Sequence, residues 1–288
     1  MRCCVIMTTY NQPAWLEKVL WGFAYQCRRP DQVIVADDGS KPETLERLRA
    51  LAPQLNYSLL HLWQRDEGFR KCQALNHAVR LCDADYCIFT DADCIPHRDF
   101  VAWHCHLARP RRFLSGGYNK LSMDTSTLIS PEDIAAGRHC DPRWLAEHGS
   151  PHLAREAKLR HCGSRWGRAL DALTTTKPSW NGHNASTWRS YILAANGFDH
   201  EMQYGGQDRE FGERLTNAGI RGLQMRHRAT CVHLDHGRGY ATPESIAKNR
   251  AIRAETRRSV RTRADQGLAQ VDEDDCQLNH FRCESSLR

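Results

Sequence analysis

Two carboxylates one residue apart, Asp91 and Asp93, follow directly on the apolar run Tyr86-Cys87-Ile88-Phe89 in the stretch YCIFTDADCIP. A buried strand that ends in Asp-x-Asp delivers two anionic oxygens to the rim of a core at a fixed point. Mg2+ and Mn2+ favour oxygen ligands and often complete their shells with substrate phosphates. The pattern therefore fits a seat for a metal and a diphosphate at the C-terminal end of a strand, where open α/β sheets hold ligands. A polar turn in which Asp caps the next element reads equally well on this stretch alone. Other polar groups decide between the two. Thr8 and Tyr10, with Asn11, follow the apolar run CCVIM, and Asp37 and Asp38 follow QVIVA. If these runs are neighbouring parallel strands, their ends converge on one crevice. Any one pair alone would be a turn.

A further carboxylate, Asp208, stands just after Gly205 and Gly206, where a helical pattern begins with Phe211, Leu215 and Ala218 on one side. The positive end of that helix would hold Asp208 ionised, and the glycine pair would let backbone pass close to a ligand. An ordinary acidic N-cap after a glycine turn is the plainer alternative. His233 and His236 are candidate metal ligands; either one taken singly is more often an uninvolved histidine.

The elements that must position these residues alternate. Apolar runs at Cys3–Met7, Gln32–Ala36, Leu59–Trp63 and Tyr86–Phe89 are separated by helical spacings over Ala14–Gln26, Pro42–Ala52 and Lys71–Cys82. This order predicts a mostly parallel sheet with helices on both faces. Residues 119–178 are rich in His, Arg, Pro and Gly and read as a variable insertion, a lid or decoration, with short helices over Pro131–Ala136 and Pro142–Glu147. A last strand is expected over Ala229–His233. Residues 179–240 complete a domain spanning 1–240, whose nucleotide-binding half is 1–118. Residues 241–288 read as a basic helical extension and tail, its helix running over Thr242–Asp265. Solvation of that helix is the plain reading; attraction to an anionic inner membrane face is the sharper one.

Bulk properties exclude more than they assign. The 288 residues are 41% hydrophobic, enough to bury a core, and the net charge of +6 suits anionic substrates without calling for nucleic acid. The 13 cysteines are scattered, odd in number and lack a C-x-x-C pair, which argues against a zinc ribbon and for free thiols in a reducing cytoplasm. No signal peptide or membrane-length apolar run is evident. Neither G-x-G-x-x-G nor a P-loop occurs, which disfavours dinucleotide oxidoreductases and P-loop NTPases.

The ordered stretches VIMTTYN (5–11), VIVADDGS (33–40), DEGFRKCQALNHAV (66–79), FTDADCIP (89–96), GHNASTWR (182–189), GFD (197–199) and YGGQDREFGERL (204–215) resemble the inverting family 2 glycosyltransferases. The likeness is nearest to bacterial members whose C-terminal half is similar to galactosyltransferase and polypeptide GalNAc-transferase domains. It spans residues 3–236, with a poor match over 120–178. The resemblance implies the A-type glycosyltransferase fold, a nucleotide-sugar donor (UDP favoured), a saccharide or lipid-linked acceptor, and Mn2+ or Mg2+. Thr8 and Tyr10 would contact the nucleoside, and Asp38 beside Asp37 the base or ribose. Arg70 or Lys71 would be a basic nucleotide contact. Asp91 and Asp93, flanking Ala92, would serve the metal and ribose–diphosphate. His236, or else His233, would be a further metal ligand, and Asp208 the catalytic base. Asn11, Asn184, Gly205 and Gly206 complete the expected donor-site set. One departure is Gln207-Asp208, where the family often has Glu-Asp; a carboxylate near the acceptor is lost. The implied role is sugar transfer in cell-surface polysaccharide or lipopolysaccharide synthesis, at the inner membrane or in the cytoplasm. Alternatives are a sugar-phosphate nucleotidyltransferase, for which TTYNQP lacks the glycines, and a non-catalytic nucleotide-sugar or nucleic-acid-binding module.

Overall fold

The structure is a computed structural model and describes residues 1–237, 242–272 and 275–281. Four runs form parallel strands: β1 (Cys3–Thr9), β2 (Gln32–Asp37), β3 (Leu59–Gln64) and β4 (Tyr86–Asp91). They are joined by α1 (Pro13–Ala24), α2 (Pro42–Leu51) and α3 (Lys71–Leu81). Such strands are covered on both faces, so they read as unbroken apolar runs. In β1, Cys3, Val5 and Met7 enter one core with Leu16, Val19, Leu20 and Phe23 of α1. Cys4 and Ile6 enter the other, with Ala74, Leu75, Ala78 and Val79 of α3. Pro13 and Pro42 open their helices, where a missing N–H costs nothing.

Short strands follow: β5 (Cys94–Pro96), β6 (Arg112–Ser115), β7 (Gly117–Lys120), β8 (Ala185–Trp188), β9 (Arg221–Gln224), β10 (Thr230–His233) and β11 (Cys276–Phe281). The main sheet has the order β11-β3-β2-β1-β4-β8-β6-β9, and a small one the order β5-β10-β7. β8 runs antiparallel between β4 and β6. β11 pairs antiparallel with β3 along its whole length, Cys276 opposite Gln64 and Phe281 opposite Leu59. The tail expected beyond the last helix therefore supplies an edge strand. The proposed domain boundary at residues 240 and 241 lies outside the described residues.

After α4 (Phe100–Leu107), the segment expected to be an insertion is built of short helices: α5 (Met123–Leu128), α6 (Pro131–Ala135), α7 (Pro142–Glu147), α8 (Ala157–Arg160) and α9 (Arg165–Leu173). Ser122, Ser130, Asp141, Glu156 and Ser164 each accept an N-terminal amide of the helix they open. Leu121, Ile129, Ile134, Leu145, Leu153 and Leu159 are buried in the first core. The segment is thus part of the packed body, not a decoration on it.

Two helices carry the C-terminal half after α10 (Arg189–Ala194): α11 (Gln207–Asn217) and α12 (Pro243–Arg258). α12 stops at Arg258 instead of running to Asp265, and Val260 lies in the left-handed region at φ 52°. Its charge is largely spent internally. Arg253 and Arg257 reach Glu213 of α11 at 2.6 and 3.1 Å, and Arg258 pairs with Glu255 at 2.7 Å. No described helix is long and apolar enough to cross a membrane.

An aromatic cluster sits under the segment that carries Asp208. Trp180 is fully buried and meets Phe211 at 4.8 Å and Phe89 at 5.4 Å between ring centroids. Phe198 packs on Phe211 at 4.5 Å. Such edge contacts add to the burial of the rings. Trp180→Ala should cost about 3–5 kcal/mol, read as a lower urea midpoint with an unchanged slope. A loss within the range of a surface substitution would mean the cluster does not hold α11 to β4.

Candidate active site

The register of the central strands decides which polar ends meet. Thr8 pairs with Asp91 across β1 and β4, and Thr9 with Asp37 across β1 and β2. Thr8 Oγ1 donates to Asp91 Oδ1 at 3.0 Å. Lys71, the first residue of α3, donates its Nζ to the same oxygen at 2.6 Å. Burial pushes the Asp91 carboxyl up, but Lys71 and the Thr8 hydroxyl outweigh it and hold the group down at about 2. Burial likewise disfavours the Lys71 ammonium, yet Asp91, Asp208 and Asp93 together keep it protonated well above its usual range.

Asp208 lies in the first turn of α11. Gly206 just ahead has φ 101°, a left-handed conformation that glycine adopts without strain. The pair packs on α12: a Cβ on Gly205 would sit 3.1 Å from Ile246, and one on Gly206 3.1 Å from Arg253. These glycines therefore serve the turn and the helix contact rather than a ligand. Burial raises the Asp208 carboxyl, the Lys71 charge lowers it, and Asp91 raises it again. Its Oδ1 is buried with no hydrogen-bond partner. Gly182 passes so close that a Cβ there would lie 2.8 Å from that oxygen.

Asp93 turns to a different set of groups. Its Oδ2 is 2.8 Å from His236 Nε2 and 3.7 Å from His233 Nε2, and its Oδ1 accepts from the Cys94 thiol at 3.2 Å. Ligand atoms of Asp93, Cys94 and His233 lie within 4.8 Å of one another. Antiparallel pairing of β5 with β10 sets His233 opposite Cys94 and so fixes the cluster. His236 Nδ1 contacts the Gly237 carbonyl at 2.7 Å, which turns Nε2 toward Asp93. An orphaned buried nitrogen, His233 Nδ1, adjoins this cluster. One carboxylate with two imidazoles is a donor set that a divalent cation accepts, so the residues present fit the metal expected here.

Other sequence candidates divide. Asp38 is buried at the rim of β2, accepts from Gln64 Nε2 at 2.6 Å and from the Arg70 amide at 2.8 Å, and is pushed up to about 7 by burial. Tyr10 is exposed and donates to Asp66 at 2.9 Å. The Arg70 guanidinium turns away to Glu67 and Asp275, so Lys71 is the cation that faces the acids. Three candidates are tied into the fold instead. Asp37 holds the Ser40 amide at 2.8 Å and His61 at 2.9 Å. Asn11 accepts from the Lys41 amide and fastens two loops. Asn184 is wholly buried; it donates to the Gly117 and Ala229 carbonyls, and its oxygen contacts His104. An amide whose nitrogen is spent on two backbone carbonyls and whose oxygen meets a buried imidazole has no group left for a sugar donor. Ala92 belongs to the core. Sequence reasoning passed over His183. Its ring meets Tyr118 at 4.5 Å, and burial pushes it down to about 4, with Asp91 opposing. The only signal was its place between Gly182 and Asn184.

Residues 4–102 match the family described as Glycosyl transferase family 2. Validoxylamine A glucosyltransferase of Streptomyces hygroscopicus subsp. limoneus is 28% identical over 75% of this chain and 48% of its own length. The chain spans between 23% and 51% of the length of the first four curated relatives. The mannosyltransferase PcManGT from Pyrobaculum calidifontis, solved with GDP-Man and Mn2+, superposes with a TM-score of 0.53 at 23% identity over 83% of this chain and 58% of that one. GalNAc-T7, solved with UDP, GalNAc and Mn2+, reaches 0.60 at 14% identity over 89% and 48%. These likenesses show the A-type glycosyltransferase fold. The strand ends and the carboxylates Asp38, Asp91 and Asp93 fall within the residues that match, and over residues 4–102 the chain is similar to glycosyl transferase family 2.

Proposed function

We propose that the chain is an inverting, metal-dependent glycosyltransferase. It moves a sugar from a nucleotide-diphosphate donor, UDP-linked in our reading, to a hydroxyl acceptor in cell-surface polysaccharide or lipopolysaccharide synthesis. The observation that carries this reading is the grouping of Asp208, Lys71 and Asp91, with Asp93 turned to two imidazoles beside them. An acceptor hydroxyl is a poor nucleophile and must lose its proton as the new bond forms. Asp208, raised by burial, would take it as general base, a role typically worth ~10²–10⁴-fold. Asp93 with His236 or His233 would hold Mn2+ or Mg2+, which when bound acts as a Lewis acid on the departing diphosphate. Lys71 holds Asp91 ionised and offers a second positive charge on the same side. Asp38, with Thr8 and Tyr10, would receive the nucleoside. No second carboxylate nucleophile is needed for a single displacement, and one base opposite one leaving group inverts the anomeric centre. The donor-bound neighbours support a nucleotide-sugar ligand; GDP-Man and UDP both occur among them. A reducing cytoplasmic setting fits the described cysteines, which stand as thiols.

Asp208→Asn should keep donor affinity by calorimetry and lose at least ~10²-fold in transfer rate. Full turnover by that variant would sink the base assignment. Asp93→Ala should weaken donor binding in Mn2+ and leave the remaining binding insensitive to EDTA; a wild-type-like response to the chelator would remove the metal seat. A panel of nucleotide sugars read by released nucleotide names the donor.

Asp38 gives a third expectation. A carboxyl raised to about 7 binds its proton more tightly when folded, so its share of stability is complete at acid pH and falls away as pH rises from about 4 to about 7. Asp38→Asn escapes that loss, because Gln64 Oε1, which lacks a partner, can turn to accept the new amide. The variant should match the wild type near pH 4 and exceed it above pH 7 by up to about 4 kcal/mol, while losing nucleotide affinity. Parallel stability curves across this range would refute the protonated, buried Asp38.

A further inference from the structure

The helix α9 is inside out. Its inward side is formed by Gly167 and Asp171, both buried. Trp166 and Leu173 are the most exposed large apolar side chains among the described residues, at 69% and 78%. They lie two turns apart on one helix face, with Ala169 and Leu170 between them. A helix of a globular protein ordinarily turns its apolar stripe to the core and its charge to water; here the orientation is reversed. The reversal is fastened in place. Asp171 Oδ2 accepts from Arg228 Nε at 2.7 Å, and its Oδ1 takes the His227 amide at 2.9 Å and lies 3.0 Å from the His227 ring.

Around the apolar face the charge has one sign. Residues 155–177 hold Arg155, Lys158, Arg160, Arg165, Arg168 and Lys177 against Glu156 and Asp171. Both acids are engaged, Glu156 at the start of α8 and Asp171 as above. Arg160, Arg165, Arg168 and Lys177 are exposed and make no ion pair with a described carboxylate.

We propose that α9 docks the protein on an anionic lipid surface. Trp166 and Leu173 would enter the interface between headgroups and chains, and the surrounding arginines and Lys177 would meet the headgroups. A short helix with a tryptophan, a leucine and a basic flank is suited to lie in that plane, and each basic residue near an anionic leaflet adds attraction. A second copy of the chain fits less well, because a two-fold contact would bring the same arginines against themselves. The chain leaves α9 through Thr174–Ser179 and arrives at Trp180 and Gly182, which abuts Asp208. The docked face and the base are thus joined by a short stretch of backbone, an arrangement that would bring a lipid-linked acceptor to the site. Docking stands on α9 alone; only the lipid-linked acceptor rests on the transferase reading.

The test is co-sedimentation of the full chain with vesicles of equimolar phosphatidylcholine and phosphatidylglycerol. The wild type should bind these vesicles, bind phosphatidylcholine alone far less, and dissociate with added salt. The double variant Trp166→Glu/Leu173→Glu should lose at least about tenfold in partitioning, with its thermal melt and nucleotide affinity unchanged. Arg165→Gln/Arg168→Gln should retain the fold and lose the preference for anionic lipid. Failure of the wild type to bind, or binding by the Trp166/Leu173 variant at wild-type strength, would overturn the proposal. So would a wild-type dimer that this variant dissociates without any vesicle binding, which would assign the face to a second copy. Nucleotide-sugar hydrolysis measured on the same samples keeps the two readings apart: its absence removes the transferase and leaves the vesicle result standing.

Discussion

The Lys71 ammonium is the interaction on which the site depends. Three carboxylates, Asp91, Asp93 and Asp208, act on it from different elements. Like charges this close would each suppress the ionisation of the others. One cation placed among them lets Asp91 stay ionised although buried. The placement runs against local preference, because Lys71 is the first residue of α3 and a positive charge at a helix N-terminus opposes the helix dipole. The same helix end explains why the arrangement holds. Its positive end faces the C-terminal ends of β2 and β4, and the residue before it, Arg70, gives its backbone amide to Asp38. The start of α3 therefore gathers a carboxylate from each of two strands, one through an amide and one through Lys71.

The two acids of the Asp-x-Asp stretch divide the work because β4 ends at Asp91 and the chain turns at Ala92 and Asp93, so two residues that would share one face of an extended strand point to different groups. Asp91 turns to Thr8 and Lys71. Asp93 turns to the imidazoles, which reach it only because β10 pairs with β5. Leu234 donates its amide to the Asp93 carbonyl at 2.8 Å and locks the end of β10 to the same turn. The small sheet is thus a device for bringing a distant pair of histidines to the end of β4.

Much of this was legible in the sequence, for a physical reason. Strands buried on both faces announce themselves as apolar runs, and polar residues at their ends stand out against them, so Thr8, Asp38, Asp91 and Asp93 could be found. Asp37 and Asn11 have the same residue types as true rim groups. Only the His61 partner of Asp37 and the Lys41 amide on Asn11 reveal that they fasten loops. Asn184 misled in the same way, since an amide satisfied by the Gly117 and Ala229 carbonyls looks no different in sequence from one awaiting a ligand. The short helices α6 and α7 were expected where they lie, but helices of four to nine residues such as α5, α8 and α9 span too few turns for a helical period to emerge. β11 was hidden because its apolar residues do not keep to one face: Cys276 and Leu278 alternate with Gln277 and Asn279, but His280 breaks the alternation and Leu278 is exposed.

The anchoring of α9 shows why a buried ion pair can be more useful than apolar packing. Had this helix been held by its apolar stripe, Trp166 and Leu173 would be inside, and its polar side would face water. Holding it through Asp171 leaves the stripe outside. A buried ion pair adds little net stability over a well-packed apolar contact, because both charges lose their hydration. What it adds is direction: two oxygens of one carboxylate grip the Arg228 side chain and the His227 amide, fixing both position and rotation of the helix. Arg228 and His227 belong to the turn that leads into β10, and β10 ends at His233 beside Asp93. The outward apolar face and the histidines beside Asp93 are therefore joined through one short stretch of backbone, so the hold on α9 and the placing of His233 rest on the same segment.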